Sequence, residues 1–120
     1  MSSNPSGSSA QMLKGHLDLL ILAALQAGPT HGYALIERLR LHSEGRFDLP
    51  EGTIYPALHR LEQAGLLSSH WSDDSPRRRR LYQLTARGSA ALATGRQEWR
   101  TFAAGVDAIL FGGVVGEVDP

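Results

Sequence analysis

Leu92, Trp99 and Val106 stand seven residues apart, and Gly95, Phe102 and Ile109 repeat that interval with an offset of three. On a helix the two registers run together as an a/d seam nearly three heptads long. The seam lies near the end of a 120-residue chain. A domain of that length has little core left to cover it. The pattern predicts a long C-terminal helix packed on a second copy of the chain. Leu92, Trp99, Phe102, Val106 and Ile109 are the expected dimer contacts.

Three shorter helical patterns precede it. Leu17, Leu20, Ile21, Ala24 and Leu25 share one face of a helix expected over 12–27. Gly28-Pro29 ends it. Thr30 then suits the N-cap of a helix over 31–42, with Leu35, Ile36 and Leu39 facing inward. The third pattern begins near Glu51 and stops at Gly65, with Ile54, Ala57, Leu58 and Leu61 as its buried stripe. Pro56 is tolerable there because the first turns lack helical partners for their amides.

Residues 66–72 and 79–85 read as two strands around the turn cluster Asp73-Asp74-Ser75-Pro76. Tyr82 and Leu84 share a face of the second strand with Arg80. Net charge is zero over the chain, but residues 77–100 hold seven arginines and one acid. Arginine is the better side chain for planar, bidentate phosphate or guanine contacts. A solvated loop is the ordinary alternative for such a run.

Several function classes are excluded or disfavoured. The chain has no cysteine, so disulfide frameworks, thiolate metal sites and cysteine nucleophiles are absent. Its histidines show no metal-ligand spacing, and no glycine-rich phosphate loop follows a strand. No enzyme activity and no cofactor are expected. No apolar run approaches membrane-spanning length, and the Ser-rich first residues carry no secretory pattern. A cytoplasmic location is expected.

The order helix, helix, helix, hairpin, helix is that of a winged helix-turn-helix. The fold expected is mainly α, in α+β form. It comprises a three-helix bundle, a two-stranded β wing and a long C-terminal dimerisation helix. In such a module a recognition helix presents side chains to the major groove. A basic hairpin reaches the flanking backbone or a narrow minor groove. Thr53, Tyr55, Pro56, His59 and Arg60 are the DNA-contact candidates on the third helix, and Arg77, Arg78 and Arg79 those on the wing. His31 is added because a helix start suits a phosphate. Each has a simpler reading: a solvated face for the helix residues, a salt bridge to Glu37 or Glu62 for Arg60, and capping for His31. Arg80 is read as an anchor to an acid of the body.

The segments 12–22 (MLKGHLDLLIL), 28–33 (GPTHGY), 51–62 (EGTIYPALHRLE) and 78–85 (RRRLYQLT) with Gly88 together resemble the PadR-like transcriptional regulators. The resemblance covers about residues 12–110. It implies a homodimeric bacterial repressor with double-stranded DNA, a roughly palindromic operator, as its partner. A single C-terminal helix is similar to the short subfamily. Ser68-Ser69-His70-Trp71 and Trp99 are similar to its LmrR-like, multidrug-binding branch, in which paired tryptophans line a pore between subunits. That likeness makes Trp99 a candidate contact for a small aromatic effector. His70 departs from it, standing where an aromatic is usual, and the wing is richer in arginine.

The expected organisation is a disordered leader at 1–10, a DNA-binding domain at 11–85, a dimerisation helix at 86–111 and a flexible tail at 112–120. The competing reading is a winged-helix module for protein interaction or small-molecule binding without specific DNA recognition.

Overall fold

The computed structural model describes residues 15–73 and 78–112. The expected leader, the start of the first helix at 12–14, Arg77 and the tail beyond Gly112 lie outside the described residues. The elements are α1 (Leu17–Leu25), α2 (Gly32–His42), α3 (Glu51–Gln63), β1 (Leu67–Ser72), β2 (Arg79–Leu84) and α4 (Ala86–Phe111). This is the winged-helix arrangement expected from the order of the sequence patterns. The strands pair antiparallel, from Leu67 opposite Leu84 to Ser72 opposite Arg79.

Helix α1 lies among α2, α3, β2 and α4. Its side chains are nearly all apolar, and Ile21, Leu22, Ala24 and Leu25 are buried. Gly28 adopts φ +136°, open to glycine. Arg38 of α2 donates to the carbonyls of Ala24 (2.8 Å) and Gly28 (3.1 Å). These groups at the end of α1 have few helical partners of their own.

Thr30 does not cap α2, contrary to the sequence expectation. It is buried, and its backbone pairs with Tyr82 in both directions: Thr30 N–H to Tyr82 O at 3.1 Å and Tyr82 N–H to Thr30 O at 2.8 Å. The N-cap is His31. A threonine before a helix is a local signal, and a strand partner 52 residues away overrides it.

Helix α3 continues through Pro56, which corrects the expectation that this proline falls among the unpartnered first amides: Ile54 N–H already bonds Pro50 O at 3.1 Å, and Pro56 is the sixth helical residue, with no amide to offer the Gly52 carbonyl. The helix closes on Gly65 at φ +81°, with Gly65 N–H to Glu62 O at 2.9 Å and Leu66 N–H to Leu61 O at 3.0 Å. These two bonds form a Schellman cap, which turns the chain directly into β1. The core joins Ile21, Leu35, Ile54, Leu58, Leu67 and Leu92, all fully buried.

Thr85 caps α4: its Oγ1 accepts from Gly88 N–H at 3.0 Å and donates to the Gly65 carbonyl at 2.7 Å. Leu92 is 1% exposed and packs in the chain's own core. This corrects its assignment to a dimer interface, because a side chain enclosed by its own domain has no surface left for a partner. Beyond Leu92 no residue of α4 is buried. Trp99, Phe102, Val106, Ile109, Leu110 and Phe111 are exposed there. At about 1.5 Å per residue, roughly 29 Å of helix runs past the core.

The glycines of α4 have separate reasons. A Cβ on Gly88 would run into the Leu66 carbonyl oxygen, and one on Gly95 would meet the Leu19 side chain. Nothing stands within 4 Å of a Cβ at Gly105. Packing inside one chain therefore accounts for the first two.

Candidate nucleic-acid interface

The start of α2, the start of α3 and the wing enclose an open concavity of about 520 Å³. His31, Tyr55, Arg78 and Arg79 line it, together with Tyr33, Glu51, Trp71 and Arg80. The backbone pairing of Thr30 with Tyr82 sets this geometry, because it holds the first residues of α2 against β2. A Cβ on Gly32 would collide with the Tyr55 ring. The glycine thus lets α3 approach α2 closely enough for Tyr55 to reach the concavity.

His31 is the junction of the site. Its Nδ1 is 3.3 Å from Ala34 N, and its Nε2 is 2.8 Å from Arg79 Nη1. A neutral imidazole has one bare nitrogen, so in either tautomer only one of these contacts is a hydrogen bond. Burial, and then the charge of Arg79, hold its pKa below the ordinary histidine value. The ring is therefore neutral near pH 7 and accepts rather than repels.

The α3 candidates divide into two groups. Thr53, Pro56, His59 and Arg60 are all exposed, while Tyr55 is half-buried. His59 lines a separate hollow with Glu62 and Gln63 and is not among the residues that line the concavity. Arg60 forms an ion pair with Asp18 of α1. That corrects the expected partners: Glu37 pairs with Arg40 at 2.8 Å and Glu62 faces the wing. Spacing along α3 pointed to the nearest acids in sequence, whereas packing brings α1 to this flank.

Arg80 anchors the wing as expected. Its Nε donates to Ser69 Oγ at 2.8 Å, Ser69 Oγ donates to Glu62 Oε2 at 2.7 Å, and Arg80 Nη2 is 4.0 Å from Glu62 Oε2. Tyr33, Glu51 and Trp71 were not among the sequence candidates for this surface. The register explains the last: Trp71 faces Arg80 across the ribbon, a pairing that depends on a turn length the sequence left open.

A second cleft of about 370 Å³ separates α1 from α4 and is lined by His16, Asp18, Leu19, Gly95, Glu98, Trp99 and Phe102, among others. His16 meets Trp99 edge-on at 5.1 Å between ring centroids, and Phe102 lies 5.9 Å from Trp99. Among the described residues no group of three metal-binding side chains gathers, and no helix is long and apolar enough to cross a membrane.

A model of the PadR-like transcriptional regulator family matches residues 21–94, which include the second half of α1, all of α2 and α3, both wing strands and the start of α4. The chain belongs to the PadR-like family of transcriptional regulators. Among PadR-like structures, the regulator from Eggerthella lenta is 31% identical, with 88% of this chain and 91% of that chain covered at a TM-score of 0.76. The regulator from Bacillus cereus is likewise 31% identical, with 89% and 99% covered at a TM-score of 0.75. Transcriptional regulator Rv3488 of Mycobacterium tuberculosis is 42% identical over 67 residues, which is 56% of this chain and 60% of that protein. The PadR-like family consists of regulators, which sets an enzymatic role aside.

Proposed function

We propose that this PadR-like regulator is a homodimeric repressor. In this reading Thr53, Tyr55, Pro56, His59 and Arg60 of α3 face the major groove, and Arg77, Arg78 and Arg79 of the wing reach the flanking backbone with His31. Two such modules would occupy half-sites of a roughly palindromic operator about one helical turn apart. The observation that carries the reading is the shared concavity of His31, Tyr55, Arg78 and Arg79. It sets a helix start, the recognition helix and two wing arginines around one volume.

The dimer reading rests on the exposed stripe Trp99, Phe102, Val106 and Ile109 of α4. An apolar seam at heptad spacing fits a second copy of itself. Effector relief is supported by the cleft beside Trp99. Its aromatic walls suit a planar ligand, and Glu98 on its rim favours a cationic one. Such an effector would act only by binding one dimer geometry better than another.

The test is titration against the upstream intergenic DNA of its own gene, with unrelated DNA of equal length as competitor, at two salt concentrations. Saturable binding that survives the competitor is expected. Salt-fragile binding that the competitor abolishes, here and across a genomic-fragment selection, would instead favour a protein-interaction module.

A further inference from the structure

Trp71 belongs neither to the core nor to the stripe on α4. It stands on β1 opposite Arg80, 49% exposed, on the rim of the concavity. Two guanidinium groups approach its ring: the Cζ of Arg78 lies 5.0 Å from the centroid and that of Arg80 lies 5.2 Å away. Both are within cation–π range.

The two arginines are held differently. Arg80 is fixed by Ser69 and, through it, by Glu62 in the last turn of α3. The single hydroxyl hydrogen of Ser69 goes to Glu62, and its oxygen accepts from Arg80, so this relay is self-consistent. Arg78 precedes β2, where the ribbon gives way to the turn. Its described contact is the indole. A continuous path therefore leads from α3 through Glu62, Ser69 and Arg80 to Trp71, and from Trp71 to Arg78.

We propose that Trp71 is a positioning residue for DNA binding. It holds the Arg78 guanidinium in register with α3, so that the wing and the recognition helix meet DNA as one preorganised surface. Ordering a long, flexible arginine before binding removes part of the entropic penalty of association. The proposal rests on the reading that Arg78 contacts DNA. At exposed sites such ring–cation contacts shift an equilibrium by a factor of about two to five.

The experiment uses the full chain and four variants: Trp71→Leu, Trp71→Phe, Arg78→Ala and the Trp71→Leu/Arg78→Ala double variant. Nuclear magnetic resonance of the DNA-free protein reads the Arg78 Hδ protons, which the indole ring current shifts upfield. Operator affinity and its salt dependence are then measured, with melting temperatures to confirm folding. The expected result is an upfield shift that disappears in Trp71→Leu. That variant should bind about two- to five-fold more weakly, with a salt slope close to that of wild type, whereas Arg78→Ala flattens the slope. Trp71→Phe should restore most of the affinity, and the double variant should bind like Arg78→Ala alone.

A further loss in the double variant would mean that Trp71 touches DNA itself, which overturns the positioning role. An absent ring-current shift, with Arg78→Ala still weakening binding, overturns the role and leaves the DNA reading intact. A present shift with Arg78→Ala harmless removes Arg78 from the DNA surface, and the positioning role falls with it.

Discussion

Arg79 sets its Nη1 2.8 Å from Nε2 of His31, 48 positions earlier in the chain. The contact joins the second wing strand to the helix-turn-helix through a titratable ring. It also places a cation beside a group that loses its acceptor role on protonation.

The pH dependence of this pair has opposite signs for stability and for DNA binding. The His31 pKa is lowered on folding, chiefly by burial and then by Arg79. Above the unfolded value of 6.5 both states are neutral. As pH falls below it, the unfolded chain takes up the proton first, so the folded state loses stability down to the depressed pKa. A bound phosphate favours the protonated ring, so DNA affinity should rise as pH falls toward the depressed pKa. Glutamine at position 31 should remove both components. Equal pH profiles for wild type and His31→Gln would show that the ring senses neither.

Arg78→Ala with Arg79→Ala should weaken binding on specific and unrelated DNA alike. Each lost phosphate contact changes the slope of log K against log salt by about 0.9. An unchanged slope would remove both arginines from the phosphate backbone.

Asp18→Asn should strengthen DNA binding about two- to three-fold, on the scale of a weak exposed pair. Asp18 and Arg60 are both substantially exposed, so losing their ion pair should cost the fold under about 1 kcal/mol. It would free Arg60 for DNA and remove an acid beside it. Weaker binding in this variant would show that the pair orients Arg60 rather than restrains it.

Leu92 and Ile109 should behave as opposites although the sequence sets both on one seam. Leu92→Ala empties a core position and should cost about 2–5 kcal/mol, with the dimer retained in the folded fraction. Ile109 is 85% exposed in the chain. Ile109→Asp should therefore leave the bundle folded and shift sedimentation toward monomer. A stable Ile109→Asp dimer would place the contact elsewhere.

Gly88→Ala should destabilise the protein. In an open helix that exchange gains about 1 kcal/mol. Here a Cβ meets the Leu66 carbonyl, which is backbone and cannot turn aside. Gly105→Ala has open space in the single chain and serves as the contrasting variant. Thermal melts that rank the two in the other order would contradict the packing around Leu66.

What the sequence made legible was the periodic part. The stripes Leu35–Ile36–Leu39 and Ile54–Ala57–Leu58–Leu61 are buried as their spacing implies, because an i, i+3, i+4 pattern is a local property. Thr85 caps α4 as its position suggests. The rest depended on contacts between distant segments. Thr30 gave way to His31 as a cap because Tyr82 captured its backbone. Arg60 found Asp18 because α1 packs beside α3. Leu92 and Trp99 look alike in heptad terms, yet the bundle ends between them. Trp71 entered the surface only once the ribbon's register was fixed.

The paired amides and carbonyls of Thr30 and Tyr82 form a single β-bridge that adds Thr30, just ahead of the His31 cap, to the free edge of the two-stranded ribbon. The hairpin is therefore stitched to the helical body at its base and cannot swing as a free arm. A force arriving along α4 would move His31, Arg79 and the neighbouring helix start in concert, as a spanner jaw turns with its handle. In the homodimer proposed above, DNA would then meet two hard-edged units whose separation changes while their shape stays the same.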